Sequence, residues 1–231
     1  MAQPEVRPVT RRRAGRRAGR SRTDLLIGAA AVIAERGADA TRFVDVSAAC
    51  GVPVSSLQYY FGSREDLLVA AFRHASDTEL AQLRAELAGI VDPWDRLVRI
   101  VDAALGGFAD GAGESGRLWV ESWRFALRDP ELRVDVLSDY KAWRLLVSNA
   151  VKDGQASGVF DGLPDPAVVA VQTIALIDGV GLPAALGDRP LAGRAARTLV
   201  LGALSTLLGR TTARPVQRAR VKTTRSAPGP S

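Results

Sequence analysis

Residues 53–59 carry side chains that could contact the edges of DNA bases. The segment reads PVSSLQY and is followed by Tyr60 and Phe61. If it is helical, Leu57 and Phe61 share one face and would hold the helix to a core. The outward side then presents small, hydroxyl, amide and phenol groups, on Pro53, Val54, Ser55, Ser56, Gln58 and Tyr59. Because glutamine pairs with adenine, serine bonds several bases and valine can meet a thymine methyl group, this face predicts contacts in a major groove.

Two short helices joined by a glycine-containing turn are needed to present that face. The sequence predicts a first helix over 43–50, a turn at 51–53 and a second helix over 54–60. The first helix would pack through Phe43, Val46 and Ala49. This arrangement is a helix-turn-helix, and the N-terminus of its second helix suits a phosphate group. Cys50 is expected to be inert packing beside the turn.

The rest of residues 23–209 also favours helices. Three helices are expected to begin at an aspartate followed by a proline, at Asp92, Asp129 and Asp165, because the carboxylate caps free N–H groups and proline is tolerated in the first turn. No segment alternates as a half-buried strand would. The predicted fold class is therefore all-α, with helices over 24–36, 43–50, 54–60, 64–88, 93–110, 115–128, 130–154, 166–186 and 190–209.

The net charge of +6 is unevenly distributed along the chain. Residues 1–22 carry a net charge of +7 and residues 210–231 carry +6, so the segment between them is acidic, at −7. Both tails are rich in Arg, Pro, Ser and Thr, which predicts disorder. Flexible basic arms favour nucleic acid, although they could also serve only as solubilising extensions. The arginines of the N-terminal arm are Arg11, Arg12, Arg13, Arg16, Arg17 and Arg20.

Two helices near the C-terminus are apolar around most of their circumference. A helix of this kind must be buried on more than one side, and in a domain of this size a second copy of the chain is the simplest partner. The alternative is a central core helix without a dimer. The residues predicted to form the dimer interface are Val171, Ile174, Gly181, Leu182, Ala185, Leu201, Leu204 and Leu208.

All four tryptophans fall within residues 93–186, together with several phenylalanines. Aromatic rings that line a cavity between helices suit an apolar or cationic small molecule, although each ring could equally be ordinary core packing. Asp178 is a lone carboxylate in an apolar helix, so it is either a helix-packing contact or a polar group of that pocket. The predicted pocket residues are Phe108, Trp119, Trp123, Trp143, Ile177 and Asp178.

Residues 41–68, TRFVDVSAACGVPVSSLQYYFGSREDLL, resemble the N-terminal signature of the tetracycline-repressor (TetR) family. The shared features are a threonine before the second helix, the turn at 50–52, the leucine-to-phenylalanine pattern LQYYF at 57–61 and a basic-acidic-x-Leu motif at 64–67. The resemblance implies that Thr41, Tyr59 and Arg64 contact the DNA backbone, whereas Val54, Ser55, Ser56 and Gln58 face the bases.

The family also implies a domain organisation and a function. Residues 1–22 would be a basic arm, 23–72 a helix-turn-helix domain, 73–209 a helical effector-binding and dimerisation domain, and 210–231 a basic tail. The implied protein is a homodimeric, ligand-responsive regulator, usually a repressor, that binds a palindromic operator. Beyond DNA and a second copy of itself, its expected partner is a small apolar or cationic effector.

The chain departs from the family pattern in ways that weaken its expected hold on DNA. Gln58 stands where tyrosine is usual, and Pro53-Val54 where Ser-Lys is frequent, which removes one phosphate contact. Residues 23–75 carry four basic and six acidic side chains, so this module is slightly acidic. The arginine-rich arm is expected to compensate, since phosphate neutralisation dominates affinity.

Other classes of function have weaker support in the sequence. The single histidine, His74, has no cysteine nearby, no metal-ligand spacing is present and no phosphate-binding loop is recognisable, so neither an enzyme nor a metal or cofactor is expected. A sequence-indifferent DNA-coating protein driven by the basic tails remains the alternative. No secretory signal or membrane span is expected, and a cytoplasmic location is predicted.

Overall fold

The computed structural model of the chain describes residues 20–108, 113–188, 191 and 193–210, and this part of the chain contains nine α-helices and no strand. The all-α prediction is therefore confirmed. The helices are α1 (Arg22–Arg36), α2 (Phe43–Cys50), α3 (Val54–Phe61), α4 (Arg64–Ala88), α5 (Pro93–Gly106), α6 (Glu114–Ala126), α7 (Pro130–Ala156), α8 (Pro166–Ala185) and α9 (Arg194–Leu207).

The helices begin where side chains can cap their free N–H groups. At the start of α1, Ser21 Oγ accepts from Asp24 N–H at 3.1 Å and the Asp24 carboxylate accepts from Ser21 N–H at 2.9 Å, a capping box. Asp92 and Asp165 cap α5 and α8 in the predicted manner, accepting backbone N–H bonds at 2.8–3.0 Å. These local signals explain why most predicted helix boundaries lie close to the observed ones.

The chain divides into two compact units that do not follow the expected boundary after residue 72. Unit 1 comprises Met1–Gln82 and Ala112–Asp139, and unit 2 comprises Leu83–Gly111 and Tyr140–Ser231. Helix α6 and the first part of α7 therefore belong with the helix-turn-helix. This grouping is discontinuous in sequence, and local periodicity carries no information about which distant helices pack together.

Unit 1 is built on α1, which contacts both α2 and α6. Its core contains leucine, isoleucine, valine and phenylalanine side chains that are almost completely buried. They include Leu25, Ile33, Val46, Leu57, Leu67, Leu68, Phe72, Leu118 and Leu132. Leu57 and Phe61 of α3 are part of this core. Burial of their apolar surface therefore holds the helix that carries the candidate DNA contacts.

Unit 2 contains α5, α8 and α9 packed together. Helix α8 is the one described helix that is long and apolar enough to cross a membrane by length and composition, yet 44% of its most apolar window is buried inside the protein. Its buried side includes Val169, Ile174, Ile177 and Val180. The apolar character of α8 thus serves, at least in part, the core of this unit.

Candidate functional site

Helix α3 is held in unit 1 by the two residues that the sequence predicts. Leu57 is completely buried and Phe61 is 6% exposed. In the preceding helix Val46 and Cys50 are buried, whereas Ala49, a predicted core residue, is exposed. Cys50 takes that place, and its burial raises the pKa of the thiol above the usual value. The cysteine is therefore a packing residue, as the sequence predicts.

The turn between α2 and α3 has a conformation that favours glycine. Gly51 ends α2 in the left-handed region, with φ 66° and ψ 35°, and donates its N–H to Ser47 O. Ser47 Oγ donates to Val52 O at 2.5 Å and ties the turn to the last helical residues. Local hydrogen bonds thus stabilise the turn that joins the two helices.

The outward side of α3 presents the predicted base-contacting groups to solvent. Tyr59 is 85% exposed. Its ring meets the edge of Tyr60 at a centroid distance of 5.5 Å. Pro53, Ser55 and Gln58 are exposed as well, whereas the remaining two predicted side chains, Val54 and Ser56, are partly buried. The structure thus brings these residues together on one accessible helix.

Thr41 and Arg64, expected at the DNA backbone, have internal partners in this structure. Thr41 is 1% exposed and its hydroxyl donates to Gly37 O at 2.8 Å, so the phosphate contact expected of it is not available in this arrangement. Arg64 is partly buried and donates from Nε to Thr41 O at 2.6 Å. Both residues brace the loop before α2. A motif match locates them in sequence but carries no information on burial.

Most of the predicted arginine arm lies outside the described residues, namely Arg11, Arg12, Arg13, Arg16 and Arg17. Arg20 is described and exposed. Arg22, the first residue of α1, places its guanidinium 5.2 Å from the centroid of the Phe61 ring. This contact brings a positive charge to the end of α3, which carries no basic residue of its own.

A network of ion pairs and a backbone hydrogen bond, which the sequence does not predict, holds the loop between α1 and α2. Glu121 of α6 accepts from Ala38 N–H at 2.7 Å, and Arg124 contacts both Glu121 and Asp39. The loop residues and their α6 partners lie more than eighty positions apart in the chain. No spacing or composition signal could have identified them.

The predicted effector residues are distributed over both units. In unit 2, Tyr140 donates its hydroxyl to Asp178 Oδ2 at 2.9 Å. The other carboxylate oxygen, Oδ1, is buried and has no hydrogen-bond partner among the residues that the structure describes. Burial raises the pKa of Asp178, and the bond from Tyr140 opposes that rise. Burial and the nearby Asp178 carboxylate likewise raise the pKa of Tyr140.

The aromatic candidates differ in their surroundings. Phe108 is 4% exposed and packs against Gly181, where an added Cβ would lie 3.1 Å from its ring. Ile177 is buried and Trp143 is partly buried against the core of unit 2. In unit 1, the rings of Trp119 and Trp123 lie one turn apart on α6, with their centroids separated by 3.6 Å. Phe108 and Ile177 are thus core residues of unit 2.

Five of the eight predicted interface residues are core residues of the protomer. These are Ile174, Gly181, Leu201, Leu204 and Leu208, which are buried within unit 2 and are therefore unavailable to a partner. The difference arises because α8 is apolar on every side, so its sequence pattern does not say which side faces its own chain. Val171 and Leu182 are exposed, at 52% and 41%, and Ala185 is partly buried.

The exposed side of α8 nevertheless forms a continuous apolar stripe at helical spacing. It consists of Val168, Val171, Ala175, Gly179 and Leu182, with Leu186 just beyond the helix. Helix α9, which contacts α8, exposes Ala195, Leu199 and Gly202. Apart from the backbone of its own helix, an added Cβ at Gly179 or Gly202 would meet no heavy atom of the described residues within 4 Å. Both helices thus expose apolar and small residues, and these exposed residues of α8 and α9 are here called the α8–α9 surface.

Two family models match the chain and together cover most of it. Residues 25–71 match "Bacterial regulatory proteins, tetR family", and residues 93–209 match "BetI-type transcriptional repressor, C-terminal". The HTH-type transcriptional regulator BetI of Paraburkholderia xenovorans is 29% identical over 178 residues, which is 76% of this chain and 87% of that protein.

Solved structures agree with the family models. A transcriptional regulator from Saccharomonospora viridis in complex with choline is 28% identical, has a TM-score of 0.72, and the match covers 79% of this chain and 94% of that one. A TetR-family regulator from Rhodococcus sp. is 27% identical with a TM-score of 0.65, over 80% and 97% of the two chains. The all-α fold, the helix-turn-helix with its exposed α3 and the matched domains lead to one conclusion: the chain belongs to the TetR family of DNA-binding transcriptional regulators.

Proposed function

We propose that the protein is a homodimeric, ligand-responsive repressor in which α3 reads a palindromic operator. The observation that carries this proposal is the division of α3 into two sides. Leu57 and Phe61 are buried, whereas Gln58 and Tyr59 of the same helix are exposed to solvent. Gln58, Ser55 and Val54 would contact base edges, and Tyr59 would contact a phosphate. The arginine arm would add phosphate contacts that α3 lacks.

The second copy of the chain would bind at the α8–α9 surface. Exposed apolar residues at three- and four-residue spacing suit helix packing against a symmetric partner, and Gly179 and Gly202 allow two backbones to approach closely. An interface of this kind buries the same patch on both protomers. Two α3 helices related by a two-fold axis would then read two half-sites in inverted orientation.

The effector is proposed to be a small organic cation, with choline as the probe of choice. Asp178 supports this proposal because its buried Oδ1 has no partner among the described residues, and an unpartnered buried carboxylate oxygen is costly. A cation would supply the missing interaction and keep the carboxylate ionised. Tyr140 and Trp143 stand one turn apart on α7 and offer aromatic faces suited to a quaternary ammonium group. The choline complex of the Saccharomonospora viridis regulator supports the same class of ligand.

Release from the operator would follow from different effector affinities of two states of the dimer. The effector would favour a state whose α3 helices do not match the half-site spacing, and it can shift the equilibrium only by its preference for that state. A cytoplasmic location is part of the proposal because both the operator and the effector must be reached there.

Selection of bound duplexes from a random DNA pool by the full-length protein, at physiological salt, tests this function. The expected result is enrichment of one inverted repeat, with release of the enriched duplex by choline. Enrichment of no sequence, together with binding that vanishes as salt rises, would instead identify a DNA-coating protein driven by its basic tails.

A further inference from the structure

The loop between α1 and α2 is attached to α6 by a backbone hydrogen bond. Ala38 lies one residue after Gly37, the glycine at the end of α1, and its side chain is fully buried. Its N–H donates to Glu121 Oε2 at 2.7 Å. This acceptor is a side chain from a different helix, so the conformation of the loop depends directly on the position of α6.

A second residue of α6 strengthens the same attachment. Arg124 bonds the Glu121 carboxylate through two nitrogens, at 2.9 and 3.3 Å, and reaches Asp39 Oδ2 at 2.5 Å. Burial raises the pKa of Glu121, but the bonds from Arg124 and from Ala38 N–H outweigh it and hold the pKa below its ordinary value. The carboxylate therefore stays charged at neutral pH, and charge-assisted bonds of this kind are the stronger ones.

The opposite side of the loop is bonded to a residue that closely follows the recognition helix α3. Arg64 begins α4, three positions after the end of α3. It donates to Thr41 O at 2.6 Å, to Asp39 O at 3.0 Å and also to Ala38 O. The loop thus donates its Ala38 N–H to α6 and accepts a bond from α6 at the Asp39 carboxylate, while its carbonyl oxygens accept from Arg64.

We propose that Glu121 and Arg124 are positioning residues for operator binding, acting on α3 through the loop 38–41 and Arg64. This inference rests on the proposed role of α3 in reading DNA. Displacement of α6 breaks the bond from Ala38 N–H to Glu121, and the loop then no longer holds Arg64 or the start of α2 in place. Helix α3 keeps Leu57 and Phe61 in the core but is no longer held at both of its ends, so DNA affinity falls although no residue of α3 has changed.

The test compares full-length variants on the duplex enriched by the wild type. Glu121→Ala is expected to weaken binding about tenfold, which corresponds to about 1.4 kcal/mol. Glu121→Gln keeps an acceptor oxygen for Ala38 N–H and is expected to retain most of the affinity. Hydrogen exchange at the Ala38 amide should accelerate in Glu121→Ala and remain slow in Glu121→Gln. A general loss of stability would not produce this difference between the two variants at a single amide.

Arg73→Ala is the matched control. Arg73 of α4 pairs with Asp135 at 2.7 Å and Glu131 at 3.1 Å, also within unit 1, so its ion-pair partners lie on α7 rather than in the loop. The substitution is expected to lower stability slightly and leave DNA affinity unchanged. Equal losses of affinity in Arg73→Ala and Glu121→Ala would overturn the inference. Unchanged affinity of Glu121→Ala for the enriched duplex would overturn the inference alone, whereas a wild type without sequence preference would also overturn the proposed function.

Discussion

At the scale of single residues, the helix-turn-helix depends on a close contact that leaves no room for a methyl group. A Cβ added to Gly28 in α1 would lie 2.3 Å from Cys50 Sγ, well inside van der Waals contact. The contact explains how a cysteine can stand at the turn, because the glycine opposite accommodates its sulfur. It also gives Cys50 a structural role that needs no reactive thiol.

We expect Gly28→Ala to lower the free energy of unfolding by about 1–3 kcal/mol, the usual cost of overpacking a core. A glycine-to-alanine change inside a helix ordinarily raises the free energy of unfolding by as much as about 1 kcal/mol. A decrease in Gly28→Ala would therefore indicate overpacking. Urea denaturation measures it. The double variant Gly28→Ala with Cys50→Ala should recover most of the loss, and strictly additive effects would contradict the packing account.

Asp178 allows effector binding to be separated from folding. We expect Asp178→Asn to weaken choline binding at least about tenfold, since it removes a charge–cation interaction of about 1.4 kcal/mol or more. Isothermal titration calorimetry checks this value. The melting temperature should stay unchanged or rise, because the neutral amide is cheaper to bury and can still accept the bond from Tyr140. Equal choline affinity in the two proteins would exclude Asp178 from the effector site.

At the scale of helices, the exposed stripe on α8 provides a test of the dimer. Val171→Asp is expected to raise the dimer dissociation constant roughly a hundredfold or more, because each symmetric interface receives two buried charges. Sedimentation velocity measures the change, and circular dichroism should show unaltered helix content. Leu163→Asp, in the exposed segment before α8, is the control and should remain dimeric. A Val171→Asp protein that dimerises like the wild type would place the interface elsewhere.

The helices themselves were predictable because their signals are local. The aspartate–proline starts at residues 92, 129 and 165 and the four-residue spacing of Leu57 and Phe61 each identify an element from adjacent positions. Which side of a helix is buried, and which distant segments pack together, could not be predicted. In the short helix α2, Cys50 and not the predicted Ala49 faces the core. Because α8 is apolar on every side, its sequence did not indicate which side is exposed. The bond between Glu121 and Ala38 depends on packing between distant segments, so it leaves no local signal.

At the scale of the whole molecule, the basic residues are concentrated in the two terminal segments of the sequence, whereas α3 carries none. The tails are strongly basic, whereas the rest of the chain is acidic overall. Steering toward DNA and discrimination between sequences would therefore reside in different parts of the protein. This separation distinguishes the proposed repressor from a DNA-coating protein, in which the tails alone would account for binding.

Neutralising the arm should change salt dependence without changing sequence preference. With arginines 11, 12, 13, 16, 17 and 20 replaced by glutamine, we expect the slope of log affinity against log salt to fall by about 0.9 for each phosphate that the arm no longer neutralises. Fluorescence anisotropy on the enriched duplex and on a scrambled duplex measures both quantities. If the arm provides all binding, the variant will bind neither duplex; if the arm does not touch DNA, the slope will not change.

The most direct test of the account is to repeat the selection from a random DNA pool with Gln58→Ala. The account predicts that the variant enriches the same inverted repeat as the wild type but loses preference at one symmetric pair of positions, at a cost of about 1–3 kcal/mol per half-site. An enriched sequence identical at every position to that of the wild type would contradict the central claim that the outward side of α3 reads the bases.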